Sequence, residues 1–234
     1  MNDKLTELLN SPFFLLFMLI AVFYGCMQVK AHFKNQLINP TLITTIVVII
    51  LLKALNIRWV SFEQASHHLS FWLQPAVVAL AIPLYVQWQK IRSQWFPIII
   101  SQILGSLTGI ISGVWLVRLM GGSEQSAIAI APKSVTMPIA IEVADKLNGV
   151  MGITASTVLI AGVVGQMMGM GVLLFIKSTH PMAWGLSMGA ASHALGTVRV
   201  MQMGSRFVAY ATVGLILNGI LTAFLAPVIV PWLL

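Results

Sequence analysis

The chain has 234 residues, 58% of them hydrophobic, with only 13 Lys or Arg and 6 Asp or Glu. A soluble domain is about 25% charged, so 8% charge leaves too little to solvate a globular surface. That excludes a soluble enzyme, a disordered tail and a nucleic-acid binder as leading descriptions. The net charge of +7 comes from basic residues scattered between long apolar runs, as in the cytoplasmic anchors of membrane helices.

In chain order, the first apolar run covers residues 12–29. Lys4 is set against Asp3 and Glu7, so the basic leader of a signal peptide is missing and the run reads as a retained membrane helix. Phe23-Tyr24-Gly25-Cys26 is too bulky for a lipoprotein cleavage site. The lone Cys26 excludes an internal disulfide or a cysteine metal cluster. Asn39-Pro40-Thr41 opens the second run, 39–56, as a helix start with Pro near the first turn; a site role for Asn39 is the alternative. Three more continuous runs follow, 95–119, 149–176 and 206–229, each long enough for the ~20 residues a span needs.

Runs 61–88, 122–147 and 181–203 are apolar but interrupted by Pro, Gly or charge. The expectation is an all-α, polytopic membrane bundle of about eight membrane segments, two or three of them broken or re-entrant. It forms a single integral membrane domain over 1–234, with faint internal repeats at about 61–119 and 122–179. Lys30, Lys34, Lys90 and Arg92 place the ends of the first and third segments in the cytoplasm. Eight full crossings would put Lys146, Arg199 and Arg206 on that side too, and Lys4, Lys53, Arg58, Arg118 and Lys177 opposite. A re-entrant segment would invert every later helix.

The sharpest polar signal is Ala131-Pro132-Lys133-Ser134-Val135-Thr136-Met137-Pro138. Pro132 and Pro138 break the helical ladder, and a break at depth is tolerated where backbone is buried or lines a wet cavity. Lys133 there calls for a partner or an anionic ligand. Ser134 and Thr136 add hydroxyls, and the next helix points N–H groups at the same spot. Lys133 reads alternatively as the cap of a surface loop. The second signal is Ala191-Ser192-His193-Ala194-Leu195-Gly196-Thr197-Val198-Arg199. Gly196 is the expected bend. Ser192, His193 and Thr197 are the polar groups, and His193 reads as an anion donor, a proton carrier or a structural histidine. Arg199 is either a carboxylate clamp or an interfacial anchor. The third is Gln74-Pro75, where Gln74 offers donor and acceptor and Pro75 a kink. Glu142 and Lys146 have the spacing of a helical ion pair. The histidines lack metal-ligand spacing and no P-loop or catalytic triad is present, so no cofactor or metal is expected.

These strings bear a resemblance. Leu73-Gln74-Pro75-Ala76-Val77-Val78-Ala79-Leu80 with Pro83-Leu84-Tyr85, Pro132-Lys133-Ser134-Val135-Thr136 with Pro138-Ile139-Ala140, and Ala191-Ser192-His193-Ala194-Leu195-Gly196-Thr197 resemble the LrgB/CidB family of bacterial inner-membrane proteins, from about Ile38 to the C-terminus. Met137 stands where a small polar residue is expected. The resemblance implies two functions. One is a holin/antiholin-like role that modulates murein hydrolase activity and autolysis with a small LrgA/CidA-type membrane partner. The other is carriage of small carboxylates, such as pyruvate in bacterial relatives; a similar module forms part of the plastid glycolate/glycerate transporter of plants.

Polar groups at membrane depth favour the carrier, because charge-assisted contacts to an anion strengthen in a low-dielectric cavity. The expected function is alternating-access carriage of small 2-oxo or 2-hydroxy monocarboxylates. Lys133 and Ser134 would hold the carboxylate, His193 and Thr197 would read the 2-substituent, and Gln74 would join them from the opposite broken unit. The expected partners are the solute, the bilayer, the small membrane protein and a second copy in a homodimer.

Overall fold

The computed structural model describes residues 3–33, 39–72, 75, 78–79 and 81–234. Among these all regular structure is helical, and four helices are long and apolar enough to cross a membrane. The contacts divide the chain into two compact units, 1–79 and 80–234.

The first unit contains α1 (Asp3–Leu9), α2 (Pro12–Phe33), α3 (Pro40–Ala54) and α4 (Trp59–Ser70). Asn39 caps α3: its side chain accepts from the Thr41 N–H at 2.9 Å and the Leu42 N–H at 3.3 Å, with Pro40 in the first turn. This is the helix-start role read from the sequence. Leu15 and Met18 of α2 pack with Val48 and Leu52 of α3, with Ile57, and with Ala65 of α4.

The second unit contains α5 (Ala81–Val86), α6 (Trp88–Ser93), α7 (Trp95–Leu119), α8 (Glu124–Ile130), α9 (Met137–Lys146), α10 (Met151–Phe175), α11 (Pro181–Met201) and α12 (Ser205–Leu233). Helices α7 and α12 run parallel. Their starts meet where the Tyr210 hydroxyl donates to Gln94 Oε1 at 2.6 Å, and their middles where Ser106 meets Asn218. Their ends share a cluster of Ile110, Val114, Ala226 and Val230. Helix α10 runs against the first arm of α11. Close contacts of Gly162 with His193, Gly165 with Ser192 and Gly169 with Met188 mark that antiparallel pairing. Small residues let the backbones approach this closely.

Helix α11 does not continue straight. His193 has φ 43° and ψ −131°, outside helical space. Residues eight apart in an unbroken helix lie about 12 Å apart along its axis. Here a Cβ on Gly196 would collide with the Met188 carbonyl, and Trp184 shares a buried cluster with Val200. The second arm therefore folds back along the first, with its tip at 192–193. The expected bend at Gly196 is thus three residues too late. Gly196 is helical, and its missing side chain makes room for the Met188 backbone.

The run 122–147 also turns back. Helices α8 and α9 have 7 and 10 residues, about 10 and 15 Å of rise, and neither covers the ~30 Å apolar core alone. After α9 the chain returns to α8: a Cβ on Gly149 would stand 3.3 Å from the Ala129 nitrogen and 2.8 Å from Ile128 Cγ2. The break occupies residues 131–136, where Lys133 N bonds Ile130 O at 3.1 Å and Val135 N bonds Pro132 O at 3.2 Å. These are tight i to i+3 turns. Pro138 lies beyond the break, in the first turn of α9 after the N-cap Thr136. There a missing N–H is harmless, so Pro138 starts a helix instead of breaking one.

The two fold-backs enter from opposite ends of the unit. The first hangs on the C-terminal ends of α7 and α12, where Ala127 and Val143 join their cluster. The second hangs on the start of α12 and the end of α10, where Trp184 and Val200 pack with Leu173, Met203 and Phe207.

Candidate functional site

Helix α7 buries a stripe at four-residue spacing: Ile98, Gln102, Ser106, Ile110 and Val114. The outer members are apolar and the two central ones polar. A polar pair halfway along a 25-residue span sits at the depth where unsatisfied groups are most expensive. Gly109 and Gly113 lie beside this stripe and leave a groove for the first fold-back tip.

Lys133 occupies that groove. Its ammonium donates to the Gly109 carbonyl, and a Cβ on Gly113 would come within 2.7 Å of Nζ. The residue is partly buried, and it forms no ion pair with an acidic side chain among the described residues. Ser134 stands beside it, its Oγ 3.7 Å from where a Gly109 Cβ would be. Val135 is buried with Val158 of α10.

The second tip is pinned on the same stretch of α10. His193 Nε2 is 3.1 Å from the Val158 carbonyl, placed to donate, and the Thr197 hydroxyl donates to the His193 carbonyl at 3.1 Å. Dihedrals like those of His193 cost about 1–3 kcal/mol and persist where the surroundings over-determine them. Here the ring lies over Gly162, where any side chain would meet it. Ser192, 1% exposed, carries an Oγ with no hydrogen-bond partner among the described residues. Val158 therefore touches both tips, one through packing and one through its carbonyl.

Asn218, at the middle of α12, joins the parts. Its Oδ1 accepts from the Ser106 hydroxyl at 2.6 Å, and its Nδ2 donates to Ser134 O at 3.1 Å and to Ala190 O at 2.9 Å. One buried amide thus binds α7, the first tip and the end of the second fold-back's leading arm. Beside it lies a cavity of about 620 Å³, walled by Gln102, Ser106, Gly109, Ser134, Ser187, Ala190, Asn218 and Thr222 among others. Its walls carry hydroxyls and amides but no charged side chain.

The residues singled out in the sequence fall into groups. Lys133, Ser134 and Thr136 share the first tip, and Ser192, His193 and Thr197 the second. Of these only Ser134 lines the cavity. Arg199 is partly buried in the last turn of α11, at the base of the fold-back. Pro132 is buried in the first break, and Pro75 is helical and exposed. Gln74 lies outside the described residues. Glu142 and Lys146 pair at 3.4 Å on an exposed face, as their spacing suggested. Sequence reasoning passed over Gln102, Ser106, Asn218 and Thr222 as site residues. The available signal was an amide or hydroxyl near the centre of an otherwise apolar span. No group of three His, Cys, Asp or Glu side chains able to hold a metal occurs among the described residues.

The sequence pattern of the LrgB-like family matches residues 19–232. The chain belongs to the LrgB-like family. This LrgB-like chain is 34% identical over 211 residues to an uncharacterized protein of Haemophilus influenzae, covering 90% of this chain and 91% of the relative. It is 27% identical to the holin-like protein CidB of Staphylococcus epidermidis, across 98% of both chains. It is 28% identical to the antiholin-like protein LrgB of Bacillus cereus, across 95% and 97%. No solved structure matches.

Proposed function

We propose that this LrgB-like protein acts in a bacterial cytoplasmic membrane as a holin-like or antiholin-like component that modulates murein hydrolase activity together with a small LrgA/CidA-type membrane protein. Full-length similarity to relatives named holin-like CidB and antiholin-like LrgB carries this reading. It is tested by autolysis and zymogram assays on a deletion strain, with and without the partner. Unchanged lysis in both backgrounds overturns it.

A second reading is favoured by one observation, the uncharged polar cavity where two fold-back tips meet. A lytic hole needs many copies around a wide lumen and no enclosed chemistry. A cavity at mid-span, with Lys133 behind its Gly109 wall, suits a carrier of small monocarboxylates. The tips would be the parts that move, as broken helices are in alternating-access carriers. In proteoliposomes, Lys133→Met is expected to abolish saturable uptake of labelled pyruvate or lactate, at least tenfold, because no other cation among the described residues flanks the site. An entrapped-dye lane separates carriage from leakage. Normal uptake by Lys133→Met excludes Lys133 from the site, and dye release without saturable uptake restores the lytic reading alone.

Orientation follows from the fold-backs. With both turning back, Lys90, Arg92, Lys177, Arg199 and Arg206 lie toward one face of the second unit, and Arg118 and Lys146 toward the other. Eight full crossings would instead have Lys146 inside and Lys177 outside; two re-entrant runs exchange them. The richer face is cytoplasmic by the positive-inside rule. In a Cys26→Ser background, an impermeant maleimide added outside is expected to label Ser123→Cys but not Ser93→Cys or Thr179→Cys. Labelling of Thr179→Cys would reverse the assignment.

A further inference from the structure

The first unit contains a polar pocket that neither functional reading uses. It opens where α1 meets α2 and holds about 720 Å³, walled by Thr6, Glu7, Asn10, Ser11, Pro12 and Arg58. Asn10 sets its shape. Its Oδ1 accepts from the Arg58 N–H at 3.1 Å, and its Nδ2 donates to Thr6 O at 2.8 Å. The start of α4 is thereby tied to the turn between α1 and α2. Leu9 and Ile57, next to two wall residues in the chain, are buried in the core of the unit. The wall carries one acid and one base. Glu7 lies on α1 and Arg58 just before α4, and neither forms an ion pair among the described residues. The pocket also stands at the end of a membrane span. The apolar helix α2 begins at Pro12, and Phe13 and Trp59 beside the pocket are 87% and 64% exposed. Exposed aromatic rings at a span end sit at the headgroup level of a bilayer.

We propose that this pocket binds the headgroup of a phosphoethanolamine lipid, with the phosphate on Arg58, the ammonium on Glu7 and the acyl chains over Phe13 and Trp59. The chemistry is two-signed. A guanidinium offers a planar fork to phosphate oxygens. The Ser11 hydroxyl, whose oxygen accepts from the Phe14 N–H at 3.4 Å, keeps its proton to donate to the same phosphate. A carboxylate accepts from the N–H donors of a primary ammonium. A choline headgroup has no such donors. A phosphoglycerol headgroup gains Arg58 but is anionic overall and meets Glu7 as a like charge. Such a lipid would fix the first unit at the bilayer surface, whatever the second unit carries or assembles with.

The test uses full-length protein in detergent, titrated with dioleoyl phosphatidylethanolamine, phosphatidylcholine or phosphatidylglycerol and read by native mass spectrometry as a single retained lipid. Wild type is expected to retain the ethanolamine lipid about fivefold better than the other two, the size of one exposed charge-assisted contact. Arg58→Gln should weaken the ethanolamine and glycerol lipids alike, by about fivefold. Glu7→Gln should reverse the order, so that the glycerol lipid binds at least as well as the ethanolamine lipid. Both side chains are exposed, and the Asn10 bond to Arg58 uses backbone, so both variants should keep the wild-type thermal midpoint. A lowered midpoint would make these charges structural and overturns the proposal. Equal retention of the three lipids by the wild type, or an unchanged order in Glu7→Gln, overturns it as well. Soluble O-phosphoethanolamine is expected to displace the lipid only at far higher concentration. Displacement at equal concentration would make the ligand a soluble phosphoamine and overturns the lipid assignment.

Discussion

Asn218→Leu is expected to be among the most damaging single substitutions in the second unit. Leucine fits the volume, but it strips partners from the Ser106 hydroxyl and the Ser134 and Ala190 carbonyls. Leaving a buried polar group unsatisfied costs about 1–3 kcal/mol, whereas measured interhelical hydrogen bonds in membranes average about 0.6. The larger figure should dominate here, because Ser134 lies in a tight turn and Ala190 on the packed helical arm just before the His193 bend, where neither carbonyl can easily find a new partner. A loss of about 2–5 kcal/mol is expected, read as a lowered thermal or denaturant midpoint in detergent. Ser106→Ala, which removes a single bond, should lose about 1 kcal/mol. If the two variants are equally stable, Asn218 does not hold the tips together. The same substitution should impair whatever the cavity does, since both tips lose their common anchor.

The second large effect is expected at Gly196. Alanine there would place its Cβ on the Met188 carbonyl oxygen, which is backbone and cannot swing aside. Overpacking costs about 1–3 kcal/mol where side chains can yield. Here the two arms of α11 must separate, so about 3 kcal/mol or more is expected. Gly171→Ala on α10 is the control. Its Cβ meets nothing within 4 Å, and removing a mid-helix glycine should gain about 0.5–1 kcal/mol. Opposite signs for the two variants would establish the fold-back of α11. A neutral Gly196→Ala would mean that the helix runs straight past His193.

These two positions show why the site was only partly legible. Gly196 invited the reading of a bend because glycine tolerates unusual dihedrals. The chain instead bends at His193, where φ 43° with ψ −131° lies outside the regions allowed to a residue with a side chain. The bend is imposed by the Val158 carbonyl and the bare surface of Gly162 on another helix. Pro132 was legible because its missing N–H is a local property. Pro138 was misread because a proline that breaks a helix and one that starts a helix differ only in what precedes them. Asn218 and Gln102 were invisible as site residues, since a lone amide in an apolar run does not reveal which neighbours it will face.

Local chemistry determined the bulk of the architecture. Low charge and runs of about 20 apolar residues require membrane helices, and α2, α7, α10 and α12 coincide with runs read directly from hydropathy. The Asn39 cap and the Glu142–Lys146 pair are equally local. Only the tertiary structure decided that two broken runs turn back from opposite ends, that their tips converge on Asn218, and that an uncharged polar cavity opens beside it. The physical reason is range. Hydropathy and proline act within a few residues, whereas a fold-back is held by contacts between residues such as Ser134 and Asn218, 84 positions apart.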